Sequence, residues 1–188
     1  MRLPASVEGS ERLRLFCALR LPDETAERVA AWQHAAFAGV PEVRLLPPDH
    51  LHVTLAFLGH RPVEELDAIL GALREAAARA EPPLLSLRGY RETRSVGMLT
   101  FEDEDGRAAA LAADLHERLA ALGVYEPEGR KWLPHVTVLR FRRRPRLRPV
   151  LPDDLEPFVP SDAAAFLSQL RPGGARYEVL ESTAVGGR

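Results

Sequence analysis

The sequence HVTLAFL at residues 52–58 decides how this chain is read, because its first three residues recur in HVTVLRF at residues 135–141. Side chains alternate between the two faces of a strand, so each His shares a face with the Thr two positions later. Arg-Pro follows each motif at the same spacing, at residues 61–62 and 144–145. The simplest explanation is a duplicated lobe, with the two strands facing each other across a polar cleft.

The chemistry that the repeat offers is general acid–base catalysis by His52 and His135. An unperturbed imidazole has a pKa of ~6.5, so one ring can be neutral while the other is protonated near neutral pH. One ring then takes a proton from water while the other gives a proton to a leaving group. Thr54 and Thr137 share the faces of the histidines and are expected to bind phosphate. The residues alone leave open which His is the acid.

The motifs, in a chain of this size, resemble the two-histidine phosphoesterase superfamily and, within it, the RNA 2′,3′-cyclic phosphodiesterase family, once named for 2′-5′ RNA ligase activity. The resemblance covers roughly residues 13–184, with an opening strand at 14–19, motifs at 48–59 and 134–140, and a closing strand at 173–180. Cys17 stands where the family often has an aromatic residue, and Ala56 stands where it often has a basic one. Both departures concern the surface that faces the substrate.

That resemblance implies hydrolysis of an RNA-terminal 2′,3′-cyclic phosphate to a 2′-phosphomonoester, without metal or cofactor. It suggests His52 as general acid and His135 as general base, with Thr54, Thr137 and Arg140 holding the phosphate oxygens. A 5′-hydroxyl in place of water would give 2′-5′ ligation. The expected partner is RNA with a cyclic phosphate end, such as a tRNA fragment.

Phe57 and Arg140 occupy the same position, five residues after their histidines. Strict alternation would turn Arg140 away from His135, so the side chain needs a bulge, a strong twist or the strand end to reach the phosphate. Phe57 is expected either to stack on a base, as aromatic residues do with unpaired nucleotides, or to pack in the core.

An arginine run follows the second motif in a chain whose net charge is only −2. We expect it to lie at the cleft rim and to bind RNA phosphates, chiefly through Arg142, Arg143 and Arg144, with Arg146 and Arg148 beyond them. The alternative is an ordinary solvated loop.

The remaining histidines predict little. His50 and His52 form His-x-His, but one such pair lacks the further ligands that a metal site requires, so no metal is expected. His34, His60 and His116 are interpreted as bystanders.

The pattern of apolar residues predicts an α+β fold of two pseudo-symmetric lobes, each an antiparallel sheet with outer helices, enclosing a central cleft. Residues 1–12 are expected to be a flexible extension and residues 13–188 a single bilobal domain. Strands are predicted at 13–19, 51–58, 84–90, 96–101, 135–141, 163–170 and 176–183. Helices are predicted after Pro22, over 66–77 and over 108–122, with a turn at 59–62.

Composition agrees with a single folded enzyme, since 46% of the residues are hydrophobic and Cys17 is the only cysteine. The N-terminus lacks the pattern of a secretory signal, and no run of ~18 apolar residues is present, so we expect a cytoplasmic monomer that does not contact membranes.

Three rival functions remain open. The first is action on another cyclic phosphate, in a cyclic nucleotide or in ADP-ribose cyclic phosphate. The second is RNA binding without catalysis on the same scaffold. The third is a zinc protein of a different class.

Overall fold

The computed structural model describes residue 7 and residues 11–127, 129, 131–172 and 174–187. This part of the chain forms an α+β fold with three α-helices and eight strands. No helix in it is long and apolar enough to cross a membrane. In chain order the elements are β1 (Arg12–Arg20), α1 (Asp23–Phe37), β2 (Val43–Leu45), β3 (His52–Pro62), α2 (Leu66–Arg79), β4 (Leu85–Glu92), β5 (Val96–Asp103), α3 (Arg107–Ala121), β6 (His135–Phe141), β7 (Asp162–Arg171) and β8 (Gly174–Thr183).

All eight strands belong to one antiparallel, curled sheet in the order β4-β5-β6-β3-β1-β7-β8, with β2 also paired to β6. The motif strands β3 and β6 pair at a single position, Val53 with Val136. The sheet therefore narrows to one residue pair between two four-stranded halves. We expected one antiparallel sheet in each of two lobes. The structure has a single sheet, because the two motif strands pair with each other.

The two faces of the sheet carry different clusters of apolar side chains. The main core packs the helices against one face and takes alternate residues of β1, namely Leu13, Leu15, Cys17 and Leu19. Each buried leucine of this kind contributes about 1.5–3 kcal/mol relative to an exposed one. A second, smaller cluster lies on the opposite face of β1 and β7 and consists of Phe16, Ala18, Ala164 and Phe166, with Tyr177 against it.

Strand β3 continues where the sequence predicts a turn. It runs through Pro62 because Leu58 has no partner on β1 and Gly59 adopts a left-handed backbone with a φ of 66°. A glycine reaches that conformation without a steric penalty, so the strand bends and stays paired.

The helices begin near their predicted positions but bury partly different residues. In α1 the buried residues include Ala30, Gln33 and Phe37, whereas Trp32 and Ala36 are only half-buried. In α3 the predicted core position Leu122 is 45% exposed.

The N-terminal segment is ordered earlier than residue 13. Arg12 belongs to β1, and Val7 is buried in the main core. The rest of the expected flexible extension, residues 1–6 and 8–10, lies outside the described residues.

Candidate active site

Strands β3 and β6 contain the same irregularity at the same distance from their histidines. Leu55 has no partner on β1, and Val138 has none on β5. Each is a β-bulge, which adds one residue and reverses the alternation of the side chains that follow. The two strands consequently share one order of burial over seven residues. One face carries His52, Thr54 and Phe57 on β3, and the equivalent face carries His135, Thr137 and Arg140 on β6.

The one residue pair between β3 and β6, Val53 with Val136, lies in the middle of the two motifs. Antiparallel continuation from the Val53–Val136 pair sets His52 opposite Thr137 and Thr54 opposite His135. Each imidazole therefore faces the hydroxyl of the other motif. Among the described residues, neither threonine hydroxyl forms a hydrogen bond with another protein group.

Both imidazoles are held in the same way by backbone. Nδ1 of His52 lies 2.8 Å from the carbonyl oxygen of His50, and Nδ1 of His135 lies 2.8 Å from that of Leu133. A carbonyl only accepts, so Nδ1 carries the proton and donates it. In a neutral ring the free lone pair is then on Nε2, which fixes the tautomer needed for proton transfer.

His52 rests on an aromatic floor formed by the smaller cluster. Its ring centroid lies 4.9 Å from that of Phe16, 5.6 Å from that of Tyr177 and 5.9 Å from that of Phe166. Burial against these rings, together with the nearby His135, His50 and Arg140, lowers the pKa of His52 to about 4. His52 is therefore neutral at pH 7 in the free protein.

The β-bulge at Val138 turns the side chain of Arg140 to the face of β6 that carries His135. The Arg140 side chain lines a cavity of about 440 Å³ next to the motifs. Phe57, at the equivalent position on β3, is 49% exposed, and the guanidinium of Arg14 lies 4.7 Å from its ring centroid. Phe57 is thus available for stacking and is not a core residue.

The arginine run divides into two parts. The Nε of Arg144 lies 3.1 Å from the carboxylate of Glu92, which also accepts the backbone N–H groups of Arg146 and Leu147 at 2.9 and 2.7 Å. Glu92 is buried, so this contact fixes the loop to the end of β4. Arg144, predicted to bind RNA, is accordingly engaged in a structural ion pair.

Arg142 and Arg143 are exposed and form no ion pair with a described residue. On the other motif, Arg61 of the matching Arg-Pro pair also binds a carboxylate, that of Glu65 at 2.7 Å. Both copies of the flanking Arg-Pro repeat thus place their arginine in an ion pair.

Two side chains that sequence reasoning missed satisfy the backbone of β3. Trp132 Nε1 donates to the carbonyl of Thr54 at 3.0 Å, and Nε2 of His116 lies 2.7 Å from the carbonyl of Leu55. Both carbonyls belong to residues at or next to the β-bulge at Leu55. His116 is therefore a structural residue, and no periodicity in the sequence indicates its partner.

His50 is the other residue that the sequence undervalued. Its ring lies 4.3 Å from Tyr177, it lines the cavity beside Arg140, and burial lowers its pKa. His34 and His60 are exposed. In the described part of the chain, no three His, Cys, Asp or Glu side chains are grouped as metal ligands would be.

The family model of the 2′-5′ RNA ligase superfamily matches residues 21–171, which include both motif strands. The chain belongs to that superfamily. An RNA 2′,3′-cyclic phosphodiesterase of Thermus thermophilus is 35% identical over 93% of this chain and 91% of its own length. One of Escherichia coli is 33% identical over 70% of this chain and 73% of its own length.

Solved structures of the 2′-5′ RNA ligase superfamily have the same fold. Escherichia coli LigT complexed with 3′-AMP matches with a TM-score of 0.80 and 27% identity, over 93% of this chain and 99% of LigT. A Thermus thermophilus protein matches with a TM-score of 0.78 and 30% identity over the same shares. The predicted family is confirmed, and the named relatives carry the enzyme class that the sequence indicates.

Proposed function

We propose that this protein hydrolyses the 2′,3′-cyclic phosphate at RNA ends to a 2′-phosphomonoester. The observation that carries the proposal is the matched pair of bulged strands, joined at one residue pair so that two histidines and two threonines face each other. The two halves of the sheet act as two lobes of one cleft, as the duplicated motif suggests.

In the proposed reaction His135 takes a proton from water through Nε2, and the resulting hydroxide attacks phosphorus. The bond from phosphorus to the 3′ oxygen breaks, and His52 gives its proton to that oxygen. Thr54, Thr137 and Arg140 hold the remaining phosphoryl oxygens as negative charge develops. The same steps with a 5′-hydroxyl in place of water as the nucleophile, again with loss of the 3′ oxygen from phosphorus, give 2′-5′ ligation.

The assignment of His52 as the acid has to accommodate its low pKa in the free protein. A phosphodiester anion bound between the rings favours the protonated form, because an opposite charge close to an ionisable group stabilises its charged state. Substrate binding therefore supplies the proton affinity that burial removes. The assignment of His52 as the acid rests on the family resemblance, and the bound anion makes it compatible with the low pKa of the free protein.

The test is incubation of the purified protein with a short RNA ending in a 2′,3′-cyclic phosphate. The expected product is one water heavier, and phosphorus NMR identifies it as a 2′-phosphomonoester. A bell-shaped dependence on pH and full activity in EDTA are expected from two imidazoles acting without metal.

Parallel incubations with a cyclic mononucleotide and with ADP-ribose cyclic phosphate decide between related activities. RNA that is bound without being converted would contradict the proposal in favour of a binding protein. Loss of activity in EDTA with rescue by added zinc would assign the reaction to a metal enzyme.

A further inference from the structure

We propose that the cavity beside the two motifs is a binding subsite for the phosphodiester one nucleotide upstream of the cyclic end. The inference rests on the proposed function and extends it to the path of the RNA strand. The residues that carry it are Arg14, Arg44 and Arg171, with Arg140 at the border with the catalytic face. None of the first three stands in the arginine run that the sequence singled out.

The cavity lies between two separate parts of the fold. One wall is β2 and the segment that leads to His50, and the other consists of the end of β7 and the beginning of β8. Its volume of about 440 Å³ is in the range of sites for small organic ligands. His50 and Tyr177 connect it to His52, because Tyr177 contacts both rings.

The charge inside the cavity has one sign. Four arginines line it, and no carboxylate does so among the described residues. Arg14 donates to the hydroxyl of Ser168 and lies over Phe57, and Arg171 donates to the amide oxygen of Gln169 at 3.0 Å. These partners are neutral, so they orient the guanidinium groups and leave their charge uncompensated.

Arginines elsewhere in the protein are arranged differently. Arg20 binds Asp162, Arg74 binds Glu181 and Arg118 binds Asp114, each at 3.0 Å or less. Converging arginines without carboxylates repel one another, and an anion offsets that repulsion. Guanidinium groups bind phosphate oxygens in pairs, which makes a phosphodiester the fitting ligand.

Gly174, the first residue of β8, lies against the guanidinium of Arg44. Gly174 has a φ of 130°, and a Cβ atom there would collide with the Arg44 guanidinium. Only glycine lets that group approach the beginning of β8 from the opposite wall. The cyclic phosphate itself belongs between His52 and His135, and neither of these two residues lines the cavity. The phosphate bound in the cavity is therefore the next one along the RNA strand.

The subsite is tested by binding of two products, a mononucleotide 2′-phosphate and a dinucleotide ending in the same group, using titration calorimetry. We expect the wild type to bind the dinucleotide at least tenfold more tightly. The double variant Arg44→Gln/Arg171→Gln should lose most of that advantage. The charge-matched control Arg79→Gln/Arg88→Gln, which removes two exposed arginines outside the cavity, should keep it.

A dinucleotide with an uncharged methylphosphonate linkage separates the phosphate from the sugar and base. The wild type should bind this neutral dinucleotide about as weakly as the double variant binds the charged one. The double variant should bind the neutral and the charged dinucleotide with nearly the same affinity. The slope of log affinity against log salt should fall by about 0.7 for the one phosphate contact removed.

The proposal is overturned if the double variant weakens both products equally, or if the neutral linkage binds as well as the charged one. It is also overturned if Arg142→Ser/Arg143→Ser, and not the cavity variant, removes the advantage. Failure of the wild type to hydrolyse any cyclic phosphate contradicts the proposed function only, since these binding comparisons require no turnover.

Discussion

His52 and His135 have the same motif and the same backbone hydrogen bond, but they stand in different surroundings. The ring of His52 is enclosed by three aromatic side chains, whereas His135 has no such ring contact with a described residue. Two identical side chains can therefore differ in proton affinity, which is what an acid and a base acting together require.

Replacing His52 or His135 by alanine should each lower kcat by roughly 10²-fold or more, since a positioned acid or base typically contributes 10²–10⁴-fold. Steady-state kinetics on the cyclic-phosphate RNA measure the effect, and circular dichroism checks folding. His34→Ala, an exposed histidine on α1, is the control. A variant that keeps nearly the wild-type rate removes that histidine from the mechanism.

The acid and the base can be told apart with an aryl phosphodiester whose leaving oxygen needs no proton. His52→Ala should lose much less activity on this substrate than on RNA, whereas His135→Ala should lose about the same on both. The reverse pattern would exchange the two roles.

His52 should also make stability depend on pH. Its pKa is near 4 in the folded protein and ~6.5 in an unfolded chain, so the unfolded state binds the proton more tightly. The stabilisation is complete above pH 6.5 and is lost as the pH falls toward 4, at up to ~1.4 kcal/mol per pH unit.

Urea unfolding of the wild type and of His52→Gln between pH 4 and 7 measures this dependence. The difference between the two curves should shrink as the pH falls, while His34→Gln should follow the wild type throughout. A constant difference would contradict the burial of a neutral imidazole.

At the scale of elements, the bulged strand β3 depends on donors from outside the sheet. Trp132→Phe removes the hydrogen bond to the carbonyl of Thr54 and should lower kcat by about tenfold with little change in KM, because the hydroxyl loses its position while the strand stays paired.

Trp32→Phe is the matched control for this prediction. Trp32 also donates from Nε1 to a backbone carbonyl, that of Val150 at 2.8 Å, but on an exposed part of α1. Equal loss in both variants would show a general effect on stability and not the positioning of Thr54.

A single carboxylate, that of Glu92, accepts three hydrogen bonds from the loop after β6. Glu92→Ala leaves two backbone N–H groups and Arg144 without their acceptor, so the free energy of unfolding should fall by about 2–4 kcal/mol. Chemical denaturation measures it. Arg142→Ser should change it by less than about 0.5 kcal/mol, since that side chain is exposed and unpaired in the described structure.

The sequence predicts the long elements well because each carries its own periodicity, as β6 over 135–141 and α2 from Leu66 show. It misses β2, whose three residues are too few to form a pattern. It also misses the continuation of β3 past Gly59, because a turn and a glycine bulge have the same local composition. The sequence leaves open whether a bulge, a strong twist or the strand end turns Arg140 to the face of His135. The structure has a bulge, and its position depends on the register with β5.

The residues of the candidate site are also predicted only in part from the sequence. The His-x-Thr pairs can be read directly because each motif is contiguous. The cavity arginines come from four different strands, so no spacing in the sequence relates them. Glu92 could not be paired with Arg144 for the same reason, and the run of arginines consequently looked more uniform than it is.

At the scale of the whole molecule, the chain passes repeatedly between the two halves of the sheet. β1 pairs with β3 and with β7, and β2 leaves that half to pair with β6. Neither half is a continuous piece of sequence, so the two are not expected to fold independently.

Ending the chain after Pro149 removes β7 and β8 and should abolish cooperative unfolding. Such a truncation exposes the whole edge of β1 and removes Phe166 and Tyr177 from the floor beneath His52. Thermal denaturation followed by circular dichroism measures the loss. A truncated chain that melts in a single sharp transition would show that the halves are separable.

The pairing of β1 with β7 also has a consequence for synthesis on the ribosome. Phe16 emerges long before Phe166, yet the two rings stack 4.8 Å apart beneath His52. The emerging chain carries both motifs well before the surface that supports the first of them exists. Until Phe166 has left the ribosome, the face that carries His52 therefore lacks part of the aromatic surface that supports it.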